Sequence, residues 1–206
     1  MKTLTMASML LAGLLVGCQQ SRSDSDRNTD SSAGLATQPV NMDLAAADEK
    51  EAVAEIHGAG ENHDKIHGKA TFTQAAKGVK IVVHVEGLKP GKHGIHIHEK
   101  TDLSKPDLSG AGSHFNPGGA EHHHAGPTDE NRHAGDLGNI EVNEDGKGHL
   151  ELTDDELSIE GKNGVIGHSV IIHADPDDLK SQPAGKSGDK IAGGVIVASP
   201  DHAAKS

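Results

Sequence analysis

Alternation of apolar and polar residues restricts the fold of this chain more than any other feature of its sequence. In segment 79–86 every odd position holds valine or isoleucine, and segment 66–73 follows the same period of two. Because successive strand residues point to opposite faces of a sheet, both segments are predicted to be half-buried strands. Similar patterns give eight strand candidates: 52–57, 66–73, 79–86, 93–98, 139–143, 148–152, 168–173 and 194–198. With glycine-rich connections, they predict an all-β domain, an antiparallel β-sandwich or flattened barrel.

Two long intervals, 99–136 and 174–190, do not fit the strand pattern. Both are rich in Gly, Pro, His and Asp, and loops of this length in a compact domain are usually functional. The chain has 206 residues, which is enough for one domain with appendages. We therefore expect one β-domain over residues 51–200 that carries two functional loops, followed by a short tail, 201–206.

The N-terminal segment resembles a bacterial lipoprotein signal. An apolar run from Met6 to Val16 is too short for the roughly 20 residues of a membrane-spanning helix. It ends at Gly17-Cys18, which predicts a signal peptide over residues 1–17 and a lipid-modified Cys18. The alternative is an ordinary secretory signal with an incidental cysteine. The polar residues 18–50 are predicted to form a flexible stalk.

Composition excludes several classes of function. With 31 acidic and 19 basic residues the net charge is −12, so no nucleic-acid partner is expected. The chain has no Trp or Tyr and only two Phe, which argues against a base-stacking surface. The single cysteine excludes an intramolecular disulfide and a zinc site built from several thiolates. Any metal must be bound by nitrogen and oxygen, and the chain has 16 histidines.

The histidines are spaced as candidate metal ligands. His96 and His98 share one face of a predicted strand, and the first long loop contains His114, the run His122-His123-His124, and His133 three residues before Asp136. A histidine and a carboxylate three residues apart, preceded by a histidine nine residues back, form an N/N/O set suited to tetrahedral zinc. His173 ends a buried strand. The alternatives to metal binding are that His96 and His98 lie on a solvated strand face, that the loop histidines are simply solvated, and that His173 is a packed core residue.

Several longer motifs occur together and in a fixed order. They are Gly87-Leu88-x-Pro90-Gly91-x-His93-Gly94-Ile95-His96-Ile97-His98-Glu99, Gly112-Ser113-His114-Phe115-Asn116-Pro117, His124-Ala125-Gly126-Pro127 through Arg132-His133-Ala134-Gly135-Asp136-Leu137-Gly138-Asn139, Val170-Ile171-Ile172-His173-Ala174-Asp175-Pro176-Asp177-Asp178-Leu179, and Ala192-Gly193-Gly194-Val195-Ile196. From about residue 51 to 199 the chain closely resembles the copper/zinc superoxide dismutases. The resemblance implies a Greek-key β-sandwich with one copper and one zinc ion per chain.

The resemblance also implies the ligands. His96, His98, His114 and His173 match the copper ligands, and His114, His124, His133 and Asp136 match the zinc ligands. His114 would bridge both metals as an imidazolate. Copper would cycle between Cu(II) and Cu(I): one superoxide leaves as oxygen, and a second leaves as hydrogen peroxide with protons from His114 and water. Zinc has no redox chemistry and would brace the site.

Two further positions are implied to support the ligands. Asp177 matches an aspartate that hydrogen-bonds His96 and His124, and His93 matches a structural histidine. The choice of zinc histidine is open between two registers. Counting eight residues forward from His114 selects His122, whereas counting nine back from His133 selects His124 and also aligns Gly126-Pro127. We favour His124 and expect His122 and His123 to face solvent within an insertion.

The chain departs from the family in three places, one of which is the stalk, which the core enzyme does not need. Leu108 and Gly193 fall near the positions of a family disulfide, so we expect zinc to close the first loop instead. Lys190 falls at the position of the arginine that guides the anion to copper, and lysine keeps the charge but loses the planar fork. Lys180 and Lys186 are further candidates for a local positive patch.

The predicted function is dismutation of superoxide outside the cytoplasm by a lipoprotein anchored to a bacterial membrane, with protection of the cell envelope as its role. His114 and Lys190 are the catalytic candidates. The alternative is an exported copper/zinc-buffering lipoprotein with an inactive dismutase-like fold, since a histidine-rich acidic chain binds metal in any case. A buffer has no need of a histidine shared by two metals. The oligomeric state stays open, with a homodimer as one alternative.

Overall fold

The structure is a computed structural model that describes residues 50–200. The predicted signal peptide 1–17, the lipidation site Cys18, the stalk up to Glu49 and the tail 201–206 lie outside the described residues. None of the helical segments within residues 50–200 has the length and apolarity needed to cross a membrane.

Nine antiparallel strands make up the sheet. They are β1 (Glu51–Gly58), β2 (His67–Gln74), β3 (Val79–Glu86), β4 (Gly91–His98), β5 (Asp136–Val142), β6 (Lys147–Asp154), β7 (Ser169–His173), β8 (Lys190–Val195) and β9 (Val197–Ala198). The order is β2-β3-β6-β5-β4-β7-β8-β1-β9, and a further pairing of β1 with β2 closes eight strands into a barrel. The neighbours β3-β6-β5-β4 form a Greek key. The predicted all-β antiparallel fold is confirmed.

The core fills the inside of this barrel with aliphatic side chains. Val79, Ile81, Val83 and Val85 of β3 are all buried, as their period of two predicts, and Phe72 lies with them. The intervening residues Lys80, His84 and Glu86 are exposed. A sheet that buries one face and hydrates the other needs this alternation, so β3 fixes which face of the barrel is outside.

Strand β8 begins earlier than the sequence predicts. The prediction placed the last strand at 194–198, whereas β8 runs from Lys190 and pairs with β7 through residues that include Gly193 and Gly194. Close packing requires glycine there: a Cβ at Gly194 would lie 2.2 Å from the carbonyl oxygen of Glu55. The glycines therefore mark a close approach of backbones inside a strand, whereas the predicted strand begins only at Gly194 and leaves out residues 190–193.

Two long connections lack strands. Residues 99–135 join β4 to β5, and residues 174–189 join β7 to β8. The first contains two short 3₁₀ turns, Ser109–Ala111 and Gly119–Glu121. Between them the chain runs antiparallel to the end of β4, where the Phe115 N–H donates to the carbonyl of Ile97 over 2.8 Å and His98 pairs with His114. A third connection, 155–168, also lacks strands; its Leu157, Ile159 and Val165 are buried in the core.

The first loop is attached to the barrel by apolar packing. Leu108 is 2% exposed and clusters with Ala111 and Ile171. A Cβ built on Gly193 would lie 3.6 Å from the Cδ1 atom of Leu108, so these two positions are neighbours. The expectation that zinc alone closes this loop is therefore incomplete. Burial of the Leu108 side chain helps to hold the loop to the barrel in a chain that cannot form the disulfide.

This packing predicts the cost of truncating Leu108. In zinc-free protein, Leu108→Ala should lower the free energy of unfolding by about 2–4 kcal/mol, because a buried methyl-rich side chain is lost and a cavity remains. Denaturant unfolding measures this. The control is Val197→Ala, since Val197 is 49% exposed on β9. Equal losses in the two variants would show that Leu108 does not anchor the loop.

Candidate metal centre

Strand β4 places two histidines side by side on a rigid support. Ile95 and Ile97 point into the core, and the alternate residues His96 and His98 are buried on the other face. His98 donates from Nδ1 to the carbonyl of Gly112 over 2.9 Å. His96 donates from Nε2 to Asp177 over 2.7 Å. Each ring is thus fixed through one nitrogen while the other nitrogen stays available.

Two more histidines complete a group around these rings. His114 comes from the first loop, and His173 ends β7 and donates from Nδ1 to the carbonyl of Gly188 over 3.2 Å. The four residues His96, His98, His114 and His173 offer ligand atoms that all lie within 4.8 Å of one another. Four nitrogens at this spacing suit a Cu(II) ion.

Buried ring nitrogens without partners mark the centre. Within residues 50–200, the buried side-chain nitrogens and oxygens that lack a hydrogen-bond partner are all imidazole nitrogens: His96 Nδ1, His98 Nε2, His114 Nε2, His133 Nδ1 and His173 Nε2. A buried polar atom left unpaired costs about 1–3 kcal/mol. Five such atoms in one place fit coordination to metal, since each can donate a lone pair to an ion.

Burial and neighbouring groups keep the rings of His98, His114 and His173 neutral. Burial lowers the pKa of His173 to about 3, with the nearby His96 adding to the effect. Burial also lowers the pKa of His114 to about 4, although its hydrogen bond to Asp136 opposes the shift. The pKa of His98 falls far below its ordinary value, first through burial and then through His114 and Lys190. Neutral imidazole is the form that binds metal.

A second group shares part of the first. His96, His114, His124 and Asp136 also offer ligand atoms within 4.8 Å of one another. Asp136 Oδ1 accepts from His114 Nδ1 over 2.7 Å and from His124 Nδ1 over 2.9 Å. Burial alone would raise the pKa of Asp136, but the hydrogen bonds from His114 and His124, together with the nearby His133 ring, hold it well below its usual range. An ionised carboxylate among imidazoles suits zinc.

His133 lies at the edge of this second group. Its Nδ1 is 3.6 Å from Asp136 Oδ2, and no other side chain occupies that nitrogen. Of the three consecutive histidines in the loop, His124 is fully buried, whereas His123 is exposed and His122 is half-buried. His122 donates from Nδ1 to the carbonyl of Arg132 over 2.9 Å, so its ring is turned to the loop backbone.

Asp177 links the two groups. One carboxylate oxygen accepts from His96 Nε2 over 2.7 Å, and the other accepts from His124 Nε2 over 2.9 Å. Asn139 holds this aspartate in place through two backbone contacts, of 2.8 and 3.0 Å. Burial opposes ionisation of Asp177, but the hydrogen bonds from His124 and His96 lower its pKa below the ordinary range. For His124, burial is outweighed by Asp136 and Asp177, which raise its pKa to about 9.

His93 is buried on β4 but does not face the ligand groups. Its Nδ1 lies 2.8 Å from the carbonyl oxygen of His173, and its Nε2 lies 2.9 Å from that of Lys89. Both ring nitrogens are therefore occupied by backbone oxygens. The ring ties the end of β7 to the turn before β4 and has no nitrogen left for a metal.

Arg132 supports the loop and was given no role by the sequence interpretation. It is 2% exposed, and its Nη2 donates to Asp154 over 2.7 Å at the end of β6. It also donates from Nη1 to the carbonyl of His133 over 3.0 Å and from Nε to that of Pro127 over 3.2 Å. The sequence places Arg132 next to the candidate ligand His133. No local pattern identifies Asp154, whose carboxylate compensates the buried positive charge.

Lys190, at the start of β8, is half-buried beside the first loop. Its Nζ donates to the carbonyl of Gly112 over 2.9 Å, the same oxygen that accepts from His98, and lies 3.5 Å from the carbonyl of Leu108. Burial lowers the pKa of Lys190, and Asp107 and Glu99 offset part of that shift. Lys180 and Lys186 are exposed.

Comparison with known proteins identifies the family. Residues 66–196 match the model of the copper/zinc superoxide dismutase family. The chain is 44% identical over 144 residues to a superoxide dismutase [Cu-Zn] from Deinococcus radiodurans, covering 65% of this chain and 79% of that protein. The solved structure of the clock protein EA4 has a TM-score of 0.65 and 40% identity, covering 72% of this chain and 94% of the other.

The strand order, the histidine group and the family match agree with one another. The resemblance inferred from the sequence motifs is confirmed, and with it the enzyme class. The chain belongs to the copper/zinc superoxide dismutase family.

Proposed function

We propose that the buried centre binds one copper and one zinc ion and dismutes superoxide outside the cytoplasm. Two superoxide anions and two protons give one oxygen and one hydrogen peroxide molecule. The observation that carries the proposal is the set of unpartnered ring nitrogens at His96, His98, His114 and His173. They would supply an all-nitrogen copper site. His114, His124, His133 and Asp136 would hold zinc, which would replace the protons between Asp136 and the Nδ1 atoms of His114 and His124.

The metals have separate chemical roles. When bound, copper supplies a one-electron redox couple and zinc supplies a fixed positive charge that does not change its oxidation state. The donors of the two sites are partly distinct: His98 and His173 belong only to the first group, His124 and Asp136 belong only to the second, and His96 and His114 occur in both. A metal buffer would not require this separation together with a shared ring.

His114 is positioned to handle a proton at the centre. Its Nδ1 is directed at Asp136 over 2.7 Å, and its Nε2 is buried with no partner among the described residues. Nε2 is therefore the atom at which a proton is taken up and released beside copper. Asp136 fixes the ring orientation, so that Nε2 returns to the same place after each proton transfer.

Asp177 would act by positioning. Because its two oxygens accept from His96 and His124, it orients one ring of each site with a single carboxylate. The Asn139 side chain in turn holds the backbone N–H and carbonyl of Asp177. A rigid arrangement of this kind lowers the reorganisation required when an electron is transferred.

Substrate approach requires a local positive charge. Superoxide is an anion and the chain carries −12, so the average field repels it. Lys190 is the candidate for guiding the anion, because its Nζ shares the Gly112 carbonyl with the ligand His98. Its charge acts over the short range that salt leaves unscreened, about 8 Å at physiological ionic strength.

We infer export and anchoring from the N-terminal residues. The apolar run that ends at Gly17-Cys18 supports a lipoprotein signal, and the polar residues 18–50 support a stalk. The enzyme would then act on superoxide at the outer side of a bacterial membrane and protect the envelope.

The first of three predictions about function tests the copper ligands. His173→Ala should abolish dismutation and reduce bound copper while sparing zinc, because His173 belongs only to the first histidine group. Metal content and superoxide consumption are measured on the same sample. His122→Ala is the control and should keep both metals and activity. A fully active His173→Ala protein would contradict the copper assignment.

The second prediction concerns Lys190. Lys190→Ala should lower the second-order rate constant and flatten its decline with added salt at unchanged copper content, because an attractive charge is lost. Lys190→Arg should retain or raise the rate. Lys77→Ala, a change at an exposed lysine outside both long loops, is the control and should keep the parent rate and salt dependence. A wild-type rate and salt dependence in Lys190→Ala would show that other residues guide the anion.

The third prediction concerns anchoring. Cys18→Ser should leave the enzyme exported and active but release it into the soluble fraction, because the acylated thiol is removed. Fractionation of cells and an activity assay on each fraction measure this. Continued association of the variant with membranes would contradict the lipoprotein interpretation.

A further inference from the structure

Two exposed histidines lie against each other on the outer face of the barrel. His84 of β3 and His149 of β6 are directly opposite in the antiparallel register. Their ring centroids are 4.6 Å apart and the rings are tilted by 31°. Neither residue belongs to the buried ligand groups, and neither takes part in the proposed reaction.

The backbone holds this pair in place. The register between β3 and β6 is continuous from Val79↔Asp154 to Glu86↔Lys147. Both strands also have a second neighbour, β2 beside β3 and β5 beside β6, so neither is a free edge. Directly opposite residues of an antiparallel pair keep their Cβ atoms about 4.5–5.5 Å apart. The two imidazoles are therefore kept side by side, with their ring centroids 4.6 Å apart, without ordering a loop.

A carboxylate lies beside the pair. Glu151 is two residues beyond His149 on the same exposed face, and its Oε2 is 3.9 Å from His149 Nε2. Its other oxygen, Oε1, is held by Lys80 Nζ at 2.8 Å. The hydrogen bond and charge of Lys80, with smaller contributions from His149 and His84, lower the pKa of Glu151. An ionised oxygen thus faces His149.

We propose that His84, His149 and Glu151 form a surface site for one divalent late transition-metal ion, with Cu(II) preferred over Zn(II). Two imidazole nitrogens and one carboxylate oxygen are donors that both ions accept, and copper binds such sets more tightly. Water fills the remaining positions. Because the donor residues are about half exposed, at 53% for His149 and 51% for Glu151, the bound ion exchanges with solution.

Each lysine next to the pair is matched by a carboxylate, and Lys80 pairs with Glu151 through Oε1 at 2.8 Å, which leaves Oε2 on the side of His149. Lys69 lies opposite His84 but pairs with Glu55, with its Nζ 3.8 Å from a carboxylate oxygen. Glu141 lies opposite His149 and pairs with Lys92 at 3.1 Å. The neighbouring lysines are thus matched by carboxylates, and the net charge of −12 favours attraction of a cation to this surface.

The test uses the full chain with its buried centre already loaded with copper and zinc. Cu²⁺, and separately Zn²⁺, is titrated into this protein by calorimetry, and the added copper is examined by electron paramagnetic resonance. The variants are His84→Ala, His149→Ala and the double variant. His67→Ala is the matched control, because His67 is another exposed sheet histidine that lies opposite a histidine, His57, in β1.

The expected result is one additional Cu²⁺ per chain with nitrogen coupling in its spectrum, and weaker binding of Zn²⁺ at the same site. Each single variant should weaken this binding by at least about tenfold, and the double variant should weaken it no further, because one chelate is lost in all three. His67→Ala should bind as the parent does, and all variants should keep dismutase activity.

The proposal is overturned if the loaded protein binds no additional copper. It is also overturned if the losses in the single variants add in the double variant, which indicates independent single-histidine binding, or if His67→Ala loses as much affinity as His84→Ala. Activity and buried metal content are measured in parallel, so failure here is distinct from failure of the dismutase centre.

Discussion

The burial of five unpartnered imidazole nitrogens is the constraint on which the rest of this structure depends. Within residues 50–200 these atoms have no protein hydrogen-bond partner, and each costs about 1–3 kcal/mol when left unpaired. The fold tolerates them because the opposite nitrogen of four of the rings is anchored, by Asp177, Gly112, Asp136 and Gly188. The arrangement is explained by metal binding, which turns an unsatisfied set of donors into a satisfied one.

The residues that hold these rings connect the centre to both long loops and to β6 and β8. The Gly112 carbonyl accepts from His98 and Lys190, and the loop that carries it is packed through Leu108. Asp177 joins one ring of each group, and Arg132 ties the carbonyl of His133 to the end of β6. The loops therefore reach their positions partly through the protein itself, before any ion contributes to stability.

Much of this arrangement could be predicted from the sequence, where a local pattern carries the information. The period of two in β3 predicts its buried face, and the strand context of His96 and His98 predicts their common side. What could not be predicted depends on distant contacts. The early start of β8 follows from backbones meeting at Gly193 and Gly194, and the burial of Arg132 follows from Asp154, far along the chain. The apolar anchor at Leu108 depends on Ile171 and Gly193 in the same way.

The most direct test of the central claim is the metal content of the purified protein, measured together with superoxide consumption on the same preparation. The account predicts one copper and one zinc ion per chain in the buried centre, with activity that rises in proportion to copper occupancy. Copper bound at full occupancy without superoxide consumption would contradict it and favour a metal-binding role.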